Sequence, residues 1–214
     1  ADVVVRMPTG AGVGAGPFHS QSNEAWFFKV PGLKVVYPST PGDAKGLLAA
    51  SISDPNPIMF FEHKALYRSV ELEEEVFDDY YEIELGKARL VKEGNEVSII
   101  TYGAGVHWAT KHCAEADIDA DIIDLRTLLP WDKEAVEASV RKTGKAFILH
   151  EDTLTGGIGA EIAAHIAEHC FKYLDAPVKR SGSLDTAVPF NVDLEQNFLP
   201  KARFKTELDE LLNF

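Results

Sequence analysis

His19 is the residue whose setting most favours chemistry. It follows residues 8–17, a segment with four glycines and two prolines that can form neither a long helix nor a central strand. A free imidazole has a pKa of about 6.5, so a histidine on a loop suits proton transfer near neutral pH. Ser20, Gln21 and Ser22 follow directly and have groups that can orient the ring by hydrogen bonds. Spacing alone leaves open a surface histidine without a role.

The glycine-rich segment also fits a dinucleotide-binding pattern formally, as Gly10-x-Gly12-x-x-Ala15 after a strand. That pattern needs a helix N-terminus to hold the phosphate, but Gly16 and Pro17 follow instead, and no acidic residue ends the next strand. We therefore expect a loop whose backbone passes close to another part of the molecule.

Two further motifs have structural explanations. Residues 165–169 read H-x-x-E-H, and two histidines four positions apart on a helix can converge on zinc. No third ligand is identifiable, and Ile162 and Ile166 mark the buried stripe, so a solvated helix flank is favoured. His150 and Glu151 end a strand before a glycine-rich helix start, where ligands bind in open α/β sheets; tight helix–strand packing is the favoured explanation there.

The elements that must position these residues alternate between strands and helices. This order predicts an α/β fold with a mostly parallel sheet covered on both faces. The predicted strands are 3–5, 33–37, 58–61, 88–91, 97–101, 118–125, 146–150 and 178–180, and the predicted helices are 25–28, 42–53, 106–116, 133–141, 158–173 and 204–212. Residues 71–84 contain eight acidic residues and no basic one, which indicates a solvated connector between two α/β units.

Composition excludes several classes of protein. The 214 residues are 45% hydrophobic and 26% charged, as in globular proteins. A net charge of -13 argues against nucleic acid and anionic membranes as partners, and it suits a basic protein partner. Cys113 and Cys170 are expected to be reduced thiols in helices. Ala1 begins a chain that reads as a strand almost at once, which indicates part of a longer polypeptide.

Three long stretches carry a resemblance to a known family. They are His19–Phe27, Pro31–Leu48 and Asp124–Asp132. Together with Glu151 and Thr155-Gly-Gly, they resemble the β subunit of thiamine-diphosphate-dependent 2-oxo acid dehydrogenases. Residues 62–68 are more similar to the branched-chain (2-oxoisovalerate) members than to the pyruvate members.

The resemblance implies a transketolase-like architecture. Residues 1–80 are then the second half of a pyrimidine-binding domain, and residues 81–214 a C-terminal transketolase-type domain without a catalytic role. Thiamine diphosphate lies between α-type and β-type domains, and its magnesium is held by the α part. The glutamate that activates the cofactor is expected upstream of Ala1. His19 falls on the family's active-site histidine, which supplies a proton to the opened lipoyl dithiolane, with Ser20, Gln21 and Ser22 as supports.

The resemblance also implies a structural potassium ion bound mostly by backbone oxygens. The matching positions are Val3, Val4, Ser51, Asp54 and Asn56, with Ala1 as a further position. Carbonyl groups at a helix end before Pro55 and Pro57 are suited to a hard cation.

The implied activity is that of the β portion of a branched-chain 2-oxo acid dehydrogenase, in the bacterial cytoplasm or the mitochondrial matrix. Its implied partners are an α subunit or α-like domain, a second β copy, and the lipoyl and subunit-binding domains of the acyltransferase core. The acidic end of the chain, with Glu207, Asp209, Glu210 and the Phe214 carboxylate, suits a basic docking domain. The alternatives are a pyruvate or acetoin dehydrogenase β subunit, a more remote transketolase, or an assembly module without turnover.

Overall fold

The computed structural model describes all 214 residues. Two sheets and seven helices make up the fold, and the predicted α/β class is confirmed. The strands are β1 (Val4–Thr9), β2 (Lys34–Val36), β3 (Ile58–His63), β4 (Arg89–Lys92), β5 (Val97–Thr101), β6 (Ala120–Asp124), β7 (Thr127–Leu129), β8 (Ala146–Thr153) and β9 (Lys179–Ser183). The helices are α1 (Gly16–His19), α2 (Pro41–Ser53), α3 (Ala104–Glu115), α4 (Lys133–Thr143), α5 (Ile158–His169), α6 (Val192–Phe198) and α7 (Phe204–Leu212).

The first sheet has the order β1-β3-β2-β7, and its first three strands are parallel. Thr40 caps α2 by accepting a hydrogen bond from the backbone N–H of Asp43 at 3.2 Å, and Pro41 fits the first turn because it needs no donor there. This helix covers one face of the sheet, where Leu47 packs with Ile58 and Phe60.

The second sheet has the order β4-β6-β5-β8-β9, and only β4 is antiparallel to its neighbour. Its three central strands, β5, β6 and β8, are buried on both faces, as a parallel sheet requires, whereas the edge strand β4 is partly exposed. Helices α4 and α5 cover one face, where Val136 and Ile162 pack on Ile100. Helices α3 and α7 cover the other face, where Cys113 and Phe204 lie in the apolar cluster.

The two units share one hydrophobic core. Tyr37 and Phe61 of the first sheet pack in the same sixteen-residue cluster as Ile100, Leu125 and Ile162 of the second unit. Strand β7, which the sequence analysis did not predict, crosses over and pairs antiparallel with β2. The second unit therefore completes the sheet of the first, which fixes the relative position of the two.

The acidic connector is less solvated than expected. Part of it folds back on α2, where Ile83 N–H donates to Gly46 O at 3.1 Å and the Tyr81 hydroxyl donates to Gly42 O at 2.8 Å. A Cβ on Gly46 would lie 2.6 Å from the Tyr81 ring, so glycine there permits the close approach.

Several element boundaries differ from the prediction. The helix expected over residues 158–173 ends at His169 and continues as a 3-10 turn from Phe171 to Tyr173. Helix α6 was not predicted. Ile52, expected on the buried side of α2, is exposed. Both cysteines are buried and unpaired, as predicted. None of the helices combines the length and apolar character needed to cross a bilayer.

Candidate active site

Residues 10–16, called the glycine loop below, connect β1 to α1. Gly10, Gly12, Gly14 and Gly16 all have φ between +59° and +96°, a region that favours glycine because it has no Cβ. At Gly10 the requirement is also steric, since a Cβ would lie 2.4 Å from Nε2 of His63. The expectation that this backbone passes close to another part of the molecule is confirmed.

Helix α1 begins at Gly16, the last residue of the glycine loop, so the expectation that no helix follows the glycines is wrong. The helix is only four residues long, with Pro17 in its first turn, where a missing N–H costs nothing. Its last residue is His19, which places the imidazole one helical turn from the end of the loop.

His19 is exposed to solvent. It lines an open concavity of about 400 Å³ together with Phe18, Gln21 and Lys64. The Phe18 side chain is 86% exposed and that of Trp26 is 71% exposed. Phe18 lines this concavity, whereas Trp26 lines a neighbouring one together with Gln21. An exposed aromatic ring beside polar and basic groups is compatible with one wall of a binding site.

The three residues after His19 lie close to it but do not bond to its ring. Ser20 is buried, and the hydroxyl groups of Ser20 and Ser22 have no hydrogen-bond partner. Gln21 contributes its backbone carbonyl, which accepts a hydrogen bond from the Thr9 hydroxyl. The position of His19 thus depends on how its backbone is held, and supporting roles for Ser20, Gln21 and Ser22 stay predictions.

A buried pair links the two sheets beneath the glycine loop. His63 ends β3 and Glu151 lies in β8; the ring Nε2 of His63 and the Oε2 of Glu151 are 2.5 Å apart. The other carboxylate oxygen of Glu151 accepts a hydrogen bond from the backbone N–H of Ala11 at 2.6 Å. Both side chains are nearly inaccessible. Glu151 thereby holds the start of the glycine loop, at Ala11, against the second unit.

A second buried cluster lies beside this pair. The Tyr102 hydroxyl donates to Glu24 Oε1 at 2.7 Å, and Glu24 is fully inaccessible. Burial, aided by the nearby charge of Asp152, raises the pKa of Glu24 to about 8. Burial also raises the pKa of Asp152 to about 6. The two carboxyl groups therefore carry about one negative charge near pH 7.

His150, directly before Glu151, packs against the start of α5. A Cβ on Gly159 would lie 2.5 Å from His150 Nε2, and one on Gly157 would lie 2.7 Å from Cε1 of the same ring. Burial lowers the pKa of His150 to about 4, so the ring is neutral. The tight helix–strand packing favoured from sequence is confirmed here.

The histidines of the H-x-x-E-H motif are used structurally. His165 contacts Glu137 Oε1 at 2.9 Å and packs edge-on against Trp131, and Glu168 is largely exposed. In the 214 residues described, no group of three His, Cys, Asp or Glu side chains is placed to hold a metal ion.

The residues predicted for potassium come from two segments that meet at one edge of the first sheet. Val4 pairs with Ile58, whose N–H donates to Val3 O at 2.9 Å. Ser51 lies in the last turn of α2, whose final carbonyls have no partner within the helix. Asp54 ends this helix, and its Oδ1 accepts from the backbone N–H and the side-chain amide of Asn56, each at 2.9 Å. Potassium binding there stays a prediction.

The sequence analysis missed the pairing role of His63 and the clusters around Glu24. The available signal was positional. His63 and Glu151 both lie at or near the carboxyl ends of parallel strands, which is where polar groups of open α/β sheets gather. Which strand ends face each other depends on the arrangement of the two units, and this arrangement cannot be predicted from the residues next to each strand.

Comparison with known proteins identifies the class. The family described as "Transketolase, C-terminal domain" matches residues 86–203, and "Transketolase, pyrimidine binding domain" matches residues 1–70. The first match covers more than half of the chain, so the chain belongs to the transketolase family. The predicted division after residue 80 falls between the two matches and stays a prediction. The solved structure described as "Split gene transketolase, inactive beta4 tetramer" has the same fold, with a TM-score of 0.76 at 23% identity over 98% of this chain and 66% of that one.

Curated relatives narrow the resemblance. The 2-oxoisovalerate dehydrogenase subunit beta 2 of Arabidopsis thaliana is 49% identical over 92% of this chain and 55% of its own length. The 2-oxoisovalerate dehydrogenase subunit beta of Bacillus subtilis is 46% identical over 92% of this chain and 61% of its own length. The pyruvate dehydrogenase E1 subunit beta of the same bacterium follows at 44%, with the same coverage. The resemblance read from the sequence is confirmed, and the chain spans somewhat more than half the length of these relatives.

Proposed function

We propose that this chain is the β portion of the decarboxylating dehydrogenase component of a branched-chain 2-oxo acid dehydrogenase complex. The relatives named above support the family of reactions, and 2-oxoisovalerate relatives rank slightly above pyruvate relatives in identity. The reaction is oxidative decarboxylation of a 2-oxo acid with transfer of the acyl group to a lipoyl domain.

One observation carries the proposal: His19 stands exposed on an open wall, at the end of a loop whose backbone is held by buried side chains. A general acid must reach the group that it protonates, so an imidazole turned into its own core could not serve. In this proposal His19 gives the proton from its ring to a lipoyl sulfur as the dithiolane opens.

The residues present fit the edge of a thiamine diphosphate site. The wall beside His19 combines Val13, Pro17 and Phe18 with polar Gln21 and Lys64, a mixture suited to one side of a heteroaromatic ring system. When bound, thiamine diphosphate supplies the nucleophilic carbon that decarboxylation of a 2-oxo acid requires. This chain's part is to present His19 and the apolar wall, while an α partner supplies the contacts to diphosphate and magnesium.

Other chains complete the proposed assembly. Phe18, which lines the concavity with His19, and Trp26 are both exposed and suit contact with an α subunit or α-like domain. A second β copy and the acyltransferase core are further proposed partners. Asp209 and Phe214 are exposed at the end of the terminal helix and suit contact with a basic domain. Glu210 is also exposed, but it accepts a hydrogen bond from Lys179 Nζ at 2.9 Å within this chain. The proposed location is the bacterial cytoplasm or the mitochondrial matrix.

The test uses the enzyme assembled with its α partner. His19→Ala is expected to reduce acylation of a lipoyl domain by roughly 10²-fold or more, while thiamine diphosphate binding, measured by calorimetry, stays within a few-fold. Ser69→Ala, a change just before the connector and 50 residues along the chain from His19, serves as control. Equal acylation rates in His19→Ala and the parent enzyme would refute the proposed role.

The substrate and the alternatives are decided by the same enzyme. Turnover is compared for the decarboxylation of 3-methyl-2-oxobutanoate, 4-methyl-2-oxopentanoate and pyruvate, and for the carbon–carbon cleavage of acetoin, which has no carboxyl group to lose. A preference for pyruvate or acetoin would assign the alternative β subunits. An assembled enzyme that turns over none of them would favour an assembly module without turnover.

A further inference from the structure

The glycine loop has few means of holding its own shape. Its four glycines have no side chains to pack, and Gly12 and Gly14 each have open space where a Cβ would lie. Glycine backbone is the most costly to order. Since His19 lies directly beyond this loop, its position depends on contacts that other elements make with the loop.

Two carboxylates from the second unit provide such contacts. Glu151 accepts a hydrogen bond from the N–H of Ala11 at 2.6 Å, and Glu195 accepts one from the N–H of Gly14 at 3.0 Å. The acceptors are 140 and 181 residues away from their donors in sequence. Hydrogen bonds from an amide to an ionised acceptor are stronger than neutral ones. The loop is thus held by a hydrogen bond near its start, at Ala11, and by another near its end, at Gly14.

The elements behind these carboxylates are themselves fixed. Glu195 is 1% exposed and lies in α6. The side chain of Asn191 caps this helix by accepting from the N–H groups of Asp193 and Leu194 at 3.0 and 3.1 Å. The ring of Phe190, just before the cap, lies against Gly16, where a Cβ would approach it to 2.3 Å. Helix α6 and Phe190 therefore cover the end of the loop that leads into α1.

We propose that Glu151 and Glu195 are positioning residues for His19, which they hold in place through the backbone of the glycine loop. The proposal rests on the function proposed above and adds to it, because it gives the C-terminal unit a part in acyl transfer. A misplacement of about 1 Å can cost 10²-fold in rate, so loosening this loop is expected to impair a step that needs a placed proton donor.

Glu195 is the better site for the test. Glu151 also pairs with His63, and changing it threatens folding. Glu195→Ala removes the acceptor, whereas Glu195→Gln keeps an amide oxygen that can still accept from Gly14. Asp193→Asn is a matched control, since Asp193 lies in the first turn of the same helix but is exposed.

Two measurements are made on the assembled dehydrogenase. The first is the ratio of lipoyl-domain acylation to decarboxylation followed with an artificial electron acceptor. We expect this ratio to fall roughly tenfold in Glu195→Ala, through kcat for acylation rather than KM for the lipoyl domain. Glu195→Gln is expected to recover most of the ratio, and Asp193→Asn to match the parent.

The second measurement is deuterium exchange of the peptide covering residues 10–18. Exchange should be faster in Glu195→Ala at an unchanged melting temperature.

The outcomes separate this inference from the proposed function. Unchanged exchange and an unchanged ratio in Glu195→Ala would overturn the inference. So would an equal loss of both partial reactions with a lowered melting temperature, because that pattern indicates a purely structural role. If His19→Ala is impaired while Glu195→Ala is normal, only the inference fails. If the parent enzyme does not acylate lipoyl domains at all, the proposed function fails, and the exchange measurement still decides whether Glu195 holds the loop.

Discussion

The buried pair of His63 and Glu151 gives the sharpest expectation for stability. Replacing Glu151 with alanine leaves two donors without an acceptor, His63 Nε2 and the N–H of Ala11. An unsatisfied buried donor costs about 1–3 kcal/mol, so two donors that each cost near the middle of that range together cost about 3–5 kcal/mol. We therefore expect Glu151→Ala to lower the free energy of unfolding by about 3–5 kcal/mol.

Thermal and urea unfolding followed by circular dichroism measure this loss. For a chain of this size, 1 kcal/mol corresponds to about 2–4 °C, so the midpoint should fall by about 6–20 °C. Glu168→Ala is the control, because its side chain is 76% exposed and surface changes usually stay within about 0.5 kcal/mol.

A small loss in Glu151→Ala would refute the reasoning. If the free energy of unfolding falls by less than about 1 kcal/mol, the two donors have found other partners, and the pair does not hold the glycine loop to the second unit. A loss as large in Glu168→Ala would show that removing any carboxylate from this acidic chain is destabilising, which would also remove the argument from burial.

Two further expectations concern protons and cations. Because the folded-state pKa of Glu24 is about 8 and an unfolded glutamate titrates near 4.5, its contribution to stability is present below about pH 4.5 and is lost as the pH rises through 8. Between pH 5 and 8.5 the free energy of unfolding should therefore fall by roughly 3–5 kcal/mol more in the parent than in Glu24→Gln. Urea titrations at the two pH values measure this difference. Equal pH dependence in both proteins would contradict the expectation. The proposed cation site consists of Val3, Val4, Ser51, Asp54 and Asn56. Potassium at ten times its dissociation constant should raise the free energy of unfolding by roughly 1.4 kcal/mol, so the melting midpoint should be higher in potassium chloride than in choline chloride at equal ionic strength. An identical midpoint in the two salts would argue against the site.

The sequence predicts best those elements whose pattern is local. Helix α7 was predicted with its observed bounds, because Phe204, Leu208 and Leu211 recur at helical spacing and are buried. Strand β5 was also predicted with its observed bounds, from a run that is apolar or β-branched except at Ser98. Ile52 shows the limit of such patterns. It continues the apolar spacing of α2 but lies 67% exposed, because the connector and the sheet take up other sides of that helix.

What the sequence could not predict depends on partners far along the chain. Strand β7 is only three residues long and becomes a strand by pairing with β2, and strand propensity is largely set by such neighbours. Glu195 lies in a seven-residue helix with no catalytic motif. Its contact with Gly14 spans 181 residues, and no local spacing reports it. For His19, the neighbouring glycines and polar residues left open a surface histidine without a role, and the family resemblance supplied the catalytic assignment, which stays a prediction.

The shared core explains why such distant contacts can be precise. Protein interiors are close-packed and transmit displacement, and Tyr37 and Phe61 pack in one cluster with Ile100 and Ile162 of the second unit. A carboxylate on β8 can then lie at a fixed distance from a loop that leaves β1. If the two units were joined only by their connector, the distance from Glu151 to Ala11 would vary with every motion of the hinge. A loop in which four of seven residues are glycine depends on a rigid neighbour, and here that neighbour is the unit that does not contain His19.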